Sequence, residues 1–292
     1  MKYQYEHSLT SSFYLWFENH LLTDNVQAYS TGNANNFTAV TVNEVPNDYI
    51  AYQGEFRQLV AEQNVHGPNS GYFVGGNFVT GDYNQTNNYI DYYNGRIIVP
   101  FASGSGLAIT ANSTVKEINT YIADDGEETI ILHSEFRELG QSDNYLYNQT
   151  SLLDEDIYIL PACFISLANS HNKELCFGGE EETINRIRVM VIATDNYYLD
   201  GILGTFKDQE RAHFANINFE SFPYGQFFSL KTFPYNYVNL VDSQTESDQT
   251  KNKIIKVTAS KLTNDIEHES LGKDLKIGFL EFDISTYRFP RI

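Results

Sequence analysis

A chain of 292 residues can bury roughly three quarters of its unfolded surface, so it carries its own core as one large domain or two small ones. Its formal charge of −19 excludes nucleic-acid binding through clustered cations: the densest basic run, Lys251, Lys253 and Lys256, is too thin to release many phosphate counterions. Two cysteines exclude a disulfide-stapled secreted scaffold, and no window reaches the ~20 apolar residues of a membrane span, so no membrane partner is expected.

The polar start, MKYQYEHSLTSS, reads as no signal peptide. Residues 8–22 form the first predicted helix, with Leu9, Phe13, Trp16, Phe17 and Leu21 on one face and Ser8 or Thr10 as its cap. Residues 23–50 are polar and irregular, TGNANN reading as a loop and FTAVTVNEV as a short strand. YQGEFRQLVAEQ fits either a helical turn or a strand. Residues 70–115 are the clearest β region. GYFV and NFVT flank Gly75-Gly76, and YIDYY and RIIV flank Asn94-Gly95, a pair suited to the positive φ angles of a type I′ hairpin turn. A flexible SGSG loop then leads into a long alternating strand. Val115–Ala123 and Thr129–His133 read as a further hairpin around an acidic tip, Asp124-Asp125-Gly126-Glu127, which lacks the spacing of a calcium loop.

Leu139–Asp154 reads as a polar loop before the most legible stretch, Asp156–Arg211. DIYILPACFISLA is a strand, SHNKE breaks it, Phe177-Gly178-Gly179 turns the chain and INRIRVMVIATD is a second strand. Asp195 then starts an amphipathic helix whose stripe is Tyr198, Leu199, Ile202, Leu203 and Phe206. Gly201 and Gly204 cost that helix about 1 kcal/mol each relative to Ala, and close packing onto a sheet is the expected offset. Cys163 and Cys176 read as free thiols or as a disulfide closing this hairpin.

The aromatic segment 219–243 contains Pro223 and Pro234, which favour extended limbs. It is either a loop packed over the core or an arm reaching a neighbouring subunit, with Phe222, Tyr224, Phe227, Phe228, Phe233, Tyr235 and Tyr237 as contact candidates. NKIIKVTASKL is a strand or a short helix, and LKIGFLEFDIST is a strong strand. The expected class is α+β: an antiparallel sheet packed by the N-terminal helix and the later amphipathic helix. Residues 1–44 and 116–292 form that core, and 45–115 are a β-hairpin-rich insertion.

Chemistry-bearing motifs do not emerge. There is no Gly-x-Ser-x-Gly elbow, no phosphate loop, and Gly178-Gly179 precedes Glu180, Glu181 and Glu182, which repel a phosphate. The histidines are scattered. Acids come in runs on predicted turns (Asp124/Asp125, Glu127/Glu128, Asp154–Asp156, Glu180–Glu182), the usual placement of solvated charge. A glycosidase would need two acids facing each other across a cleft. No catalytic, cofactor-binding or metal-ligating residue is assigned, and the expectation is a non-enzyme without cofactor.

The order of features over Ile159–Arg211 resembles tailed-phage virion proteins of the neck and tail-completion type. The shared pieces are Leu160-Pro161-Ala162, Phe177-x-Gly-Gly179, Ile187-Arg188-Val189-Met190-Val191 and Leu199-Asp200-Gly201. Asp91-Tyr92-Tyr93-Asn94-Gly95-Arg96 also looks like a feature of phage virion proteins. The helix, antiparallel strands and later helix are similar to tail-terminator subunits. The resemblance implies a homo-oligomeric ring, commonly a hexamer, that caps the tail and joins it to the head-connector. It implies assembly in the host cytoplasm, residence in the virion, and neck, tail-tube or tail-sheath neighbours. DNA would pass without sequence-specific binding, with Asp124, Asp125, Glu127, Glu128, Glu180, Glu181 and Glu182 at the lumen or rim. The alternatives are another virion part (fibre, collar or capsid decoration) and a carbohydrate-binding module or glycan-active enzyme.

Overall fold

A computed structural model describes residues 5–23, 26–42, 45–54, 58–65, 70–80, 88–101, 106–123, 125–138, 157–174, 181–262, 266–268 and 273–288. The chain is α+β, mostly antiparallel sheet with a few helices. Strands β1 (Tyr29–Val40), β2 (Tyr49–Gln53), β3 (Gly71–Val74), β4 (Asn77–Thr80), β5 (Tyr89–Asp91), β6 (Arg96–Pro100) and β7 (Ile109–Lys116) make an antiparallel sheet in the order β4-β3-β7-β1-β2-β6-β5. A second sheet is built from β8 (Asn119–Ile122), β11 (Ala162–Glu174), β12 (Glu181–Ala193), β13 (His213–Phe214), β14 (Asn252–Lys261) and β16 (Lys273–Arg288). Its order is β13-β14-β16-β12-β11-β8, with β15 (Ile266–His268) paired to β16. Only β8, against β11, runs parallel there. A separate parallel pair joins β9 (Glu135–Glu138) to β10 (Ile157–Leu160). Among the described residues the α-helices are α1 (Tyr5–Leu22), α2 (Glu127–His133), α3 (Asn196–Lys207), α4 (Tyr237–Asp242) and the short α5 (Glu246–Gln249).

The period-2 alternation of the long strands decides which side of the second sheet meets which layer. Cys163, Ile165, Ile187, Val189, Val191, Leu280, Phe282 and Ile284 point to one side and share a core with α1 and α3. Ala162, Phe164, Met190, Ile192, Leu275 and Ile277 point to the other and pack with Ile130 of α2, Phe136 of β9 and Leu160 of β10. The first core continues into Phe37, Tyr52, Ile97, Val99, Ile109 and Val115 of the first sheet, so strands from 45–115 and from the rest of the chain share it. Its centre is aromatic. Phe17 stacks on Phe206 with ring centroids 4.0 Å apart, and Phe13 meets Phe282 edge-on at 5.0 Å.

Several expectations are corrected. The hairpin over 115–133 does not form, because residues 127–133 are helical. Glu127 and Glu128 fall in the first turn, where the helix dipole favours acids, and Ile130 is the residue driven into the core. The long strand before it divides at Glu117–Ile118, β7 entering the first sheet and β8 the second. TGNANN is part of β1 rather than a loop, with a register shift between Ser30 and Asn33 that uses Gly32 at φ +73°. YQGEFRQLVAEQ is β2 followed by isolated bridges from Leu59 to Val115 and Glu62 to Tyr235, with no helical turn among its described residues. SHNKE continues β11 instead of breaking it, because Asn169–Glu174 keep their pairing with β12.

Turn chemistry is also reassigned. The two-residue turn with positive φ at both positions is Gly75-Gly76 (+55° and +87°), between Val74 and its partner Asn77. Asn94-Gly95 closes a four-residue connection between Asp91 and Arg96, with only Gly95 at positive φ. Asp91 organises that connection by accepting hydrogen bonds from the Tyr93 and Asn94 amides at 3.1 and 2.9 Å. NKIIKVTASKL is a strand, and the last apolar run is β16, central between β12 and β14. Helix α1 begins before Ser8, so Ser8 caps nothing. Its hydroxyl donates to the Ile217 carbonyl at 3.3 Å, and the Ser12 hydroxyl accepts from the Ile217 amide at 2.9 Å.

The α3 glycines serve no close packing among the described residues, where a Cβ on Gly201 or Gly204 would meet nothing within 4 Å. The tight approach is made by Gly278 on β16, where a Cβ would stand 2.9 Å from Leu199 Cδ1 and 3.0 Å from Leu203 Cδ1. The start of α3 follows the sequence: the Asp195 side chain accepts from the Tyr198 amide at 2.8 Å. Cys163 is a free, buried thiol, and burial pushes its pKa up. Cys176 and Phe177-Gly178-Gly179 lie outside the described residues.

Candidate functional site

The aromatic segment folds over its own chain. Tyr224, Tyr235 and Tyr237 are buried, Phe222 and Phe233 pack partly buried against the main core, and Phe228 is 39 % exposed. The tip is a tight loop closed by a bridge between Tyr224 and Leu230 and by the Gly225 amide bonding the Ser229 carbonyl at 2.8 Å. Phe227 and Phe228 both hold positive φ, 52° and 47°, a costly backbone state for bulky residues. Ring contacts hold them there. Phe227 meets Tyr49 and Tyr89 edge-on at 5.6 and 5.3 Å, and Phe228 stacks on Tyr93 at 4.5 Å. Phe227 thereby joins the small cluster of Val42, Ala51 and Ile98, while Tyr224 stays in the main core. Since Ala51 and Ile98 face away from Tyr52 and Ile97, the loop clips round the edge strand β5 and covers it. A groove of about 410 Å³ opens beside the clip, lined by Val45, Asp91, Tyr93, Asn94, Phe227 and Phe228 among others.

At its base the segment is fastened by a buried polar joint. Glu18 of α1 and Lys116 of β7 form an ion pair, with both side chains about 5 % exposed. The Tyr14 hydroxyl donates to the same Glu18 oxygen at 2.6 Å, and Lys116 also donates to the Gln58 side-chain carbonyl at 3.2 Å. Gln58, fully buried, pairs with both backbone groups of Thr120 at 2.8 Å, imitating a strand on the outer side of β8. Glu62 stands across a cavity of about one water's size, lined by Glu18, Asn19, Lys116, Tyr224 and Tyr235 among others. Its carboxyl accepts from the Tyr237 amide at 2.9 Å and the Asn64 amide at 3.2 Å, and the Gln63 amide donates to the Tyr235 carbonyl at 2.7 Å.

Burial dominates the electrostatics of this joint. It pushes the Tyr14 and Tyr224 hydroxyls well above the ordinary tyrosine value, with the Glu18 charge adding to it, and it does the same to Tyr235, where Glu62 adds. Glu62 is raised by burial and by Glu18, against backbone hydrogen bonds from Tyr237 and Asn64 that favour its charged form. Sequence reasoning missed this joint. The available signal was an acid at position 18, one helical turn after Tyr14 and beside the apolar stripe of Phe17 and Leu21.

The acidic residues singled out in the sequence that fall among the described residues do not gather in one place. Asp125 and Glu128 are exposed, and Glu127 pairs with Arg188 at 3.1 Å. Arg188 also approaches Glu281 at 3.6 Å and lies over the Phe279 ring, while Arg186 holds Asp283 at 2.7 Å, giving a charged ladder on the side of the second sheet that faces α2. Glu181 and Glu182 are half-buried six residues further along β12, about 20 Å away. Glu182 accepts from the Ser285 hydroxyl at 2.6 Å. Asp124, Glu180 and Asp154–Asp156 lie outside the described residues. Among the described residues no cluster of three or more His, Cys, Asp or Glu could hold a metal ion, and no helix is long and apolar enough to cross a membrane. Comparison with protein-family models finds no match, and neither does comparison with curated proteins.

Proposed function

We propose that this chain is a structural subunit of a tailed-phage neck, forming a ring that caps the tail and joins it to the head-connector. In this reading the second sheet with α1 and α3 is the tail-terminator-like part and 45–115 the insertion. The supporting observation is the spread of large exposed side chains over separate elements. Tyr197 on α3 is 84 % exposed, Leu132 on α2 70 %, Phe219 in the arm 52 % and Phe78 on β4 54 %. A ring subunit needs contact surfaces on two different sides, because a heterologous interface closes only when each copy meets two neighbours. The exposed part of the arm and the acids at 125–128 and 181–182 are the contact and rim candidates. Native mass spectrometry of the purified chain tests this. A six- or twelve-fold ring is expected, whereas a trimer favours a fibre, collar or decoration protein.

A second reading rests on the groove beside the clip. Aromatic faces next to Asp91 and Asn94 suit a carbohydrate-binding module. A glycan-active enzyme would need a second acid facing Asp91, whose oxygens already accept from the Tyr93 and Asn94 amides and the Asn94 side chain. A monomer that binds oligosaccharides in a titration would replace the ring reading.

A further inference from the structure

Two carboxylates and one ammonium meet where the arm is fastened. Lys116 is engaged by Glu18 and Gln58, so Glu62 shares the cavity with the Glu18 charge and, among the described residues, has no cation of its own in the joint. The charged and titratable groups that face it are Glu18 from α1, Lys116 from β7, and Tyr224, Tyr235 and Tyr237 from the arm, with Tyr14 behind Glu18. Glu62 is also the residue the arm hangs on. It accepts the Tyr237 amide and sits opposite Tyr235 in the bridge that seats the segment. We propose that Glu62 is a proton-linked latch: its buried carboxyl holds a proton more tightly with the arm seated than with the arm released, so that a rise in pH frees the Tyr224–Tyr237 limb for contacts outside its own core.

The physical basis is the cost of a second negative charge in one small buried pocket. The Tyr237, Asn64 and Gln63 amides offset part of that cost, and burial, with a smaller contribution from Glu18, outweighs them. A seated joint therefore binds more protons than an open one. Between the ordinary glutamate value and the raised one, opening becomes easier by up to tenfold per pH unit, and above the raised value it levels off. The latch concerns a single chain and goes beyond the ring reading, standing whether or not rings form.

The test is hydrogen exchange of peptides spanning 224–237 in the full chain from pH 4.5 to 8, corrected for intrinsic exchange chemistry. The expected result is an opening constant that rises by up to tenfold per unit and then flattens, while the E62Q variant shows no slope. A flat profile in the parent, or the same slope in E62Q, overturns the latch. Should E62Q fail to fold, carboxyl carbon NMR of the parent decides. A Glu62 midpoint above the ordinary glutamate range supports the latch, and one within that range overturns it.

Discussion

Replacing Lys116 by Met gives the sharpest test of the buried joint. Met keeps most of the side-chain volume and removes the charge. Among the described residues the Glu18 carboxylate, about 6 % exposed, is then left with the Tyr14 hydroxyl as its remaining donor. Gln58 keeps its bonds to Thr120, so the loss falls on Glu18. Stranding one member of a buried pair costs about 3–5 kcal/mol, a third or more of the stability of many domains. With a urea slope of ~3 kcal/mol per molar, the unfolding midpoint should fall by roughly 1–1.7 M. Trp16 reports the transition without labelling: it is the chain's single tryptophan, 8 % exposed, on the same helix as Glu18 and close to Phe214. The double variant K116M/E18Q should recover most of the loss, since no charge is then left buried without a partner. A K116M midpoint within ~0.3 M of the parent, or a double variant no better than the single one, would refute the buried pair.

The same assay checks two further expectations, and thiol labelling checks a third. Gly278→Ala drives a methyl into Leu199 and Leu203 and should cost about 1–3 kcal/mol. Gly201→Ala and Gly204→Ala each place a methyl in open space and should stabilise the free chain by about 0.4–1 kcal/mol, and a loss instead would mean that the outer face of α3 is not open. Cys163, fully buried with its pKa pushed up, should resist a thiol reagent at pH 8 until urea opens the second sheet. Rapid labelling of this thiol in the folded chain would contradict its position.

How legible the molecule was varied with the range of the interaction. The α1 stripe, the β11 and β12 runs and the Asp195 cap depend on neighbours within a few residues, so periodicity and capping chemistry exposed them. Residues 127–133 misled because Thr129, Ile130 and Ile131 carry strand propensity. The acids before them and the place of Ile130 in the cluster that contains Phe164 and Met190 favour a helix instead. TGNANN looked like a loop because its strand character comes from β7, which pairs with Asn33–Asn36. The joint was least legible, since Glu18, Gln58, Glu62, Lys116 and Tyr235 come from four distant segments, and no spacing rule links them.

Local physics determined the class, the β11 and β12 runs, the start of α3 and the lack of a dense basic run along the chain, because each is set by side-chain type and short-range period. Tertiary structure alone decided that the two sheets share one core, that Gly278 rather than the α3 glycines permits the close approach, and that the aromatic segment clips over β5. It also decided which acid found a partner: Glu18 is held by Lys116 across 98 residues, and Glu62 is not. Electrostatics in a buried pocket depends on distance in space and on excluded water, and neither quantity is written along the chain.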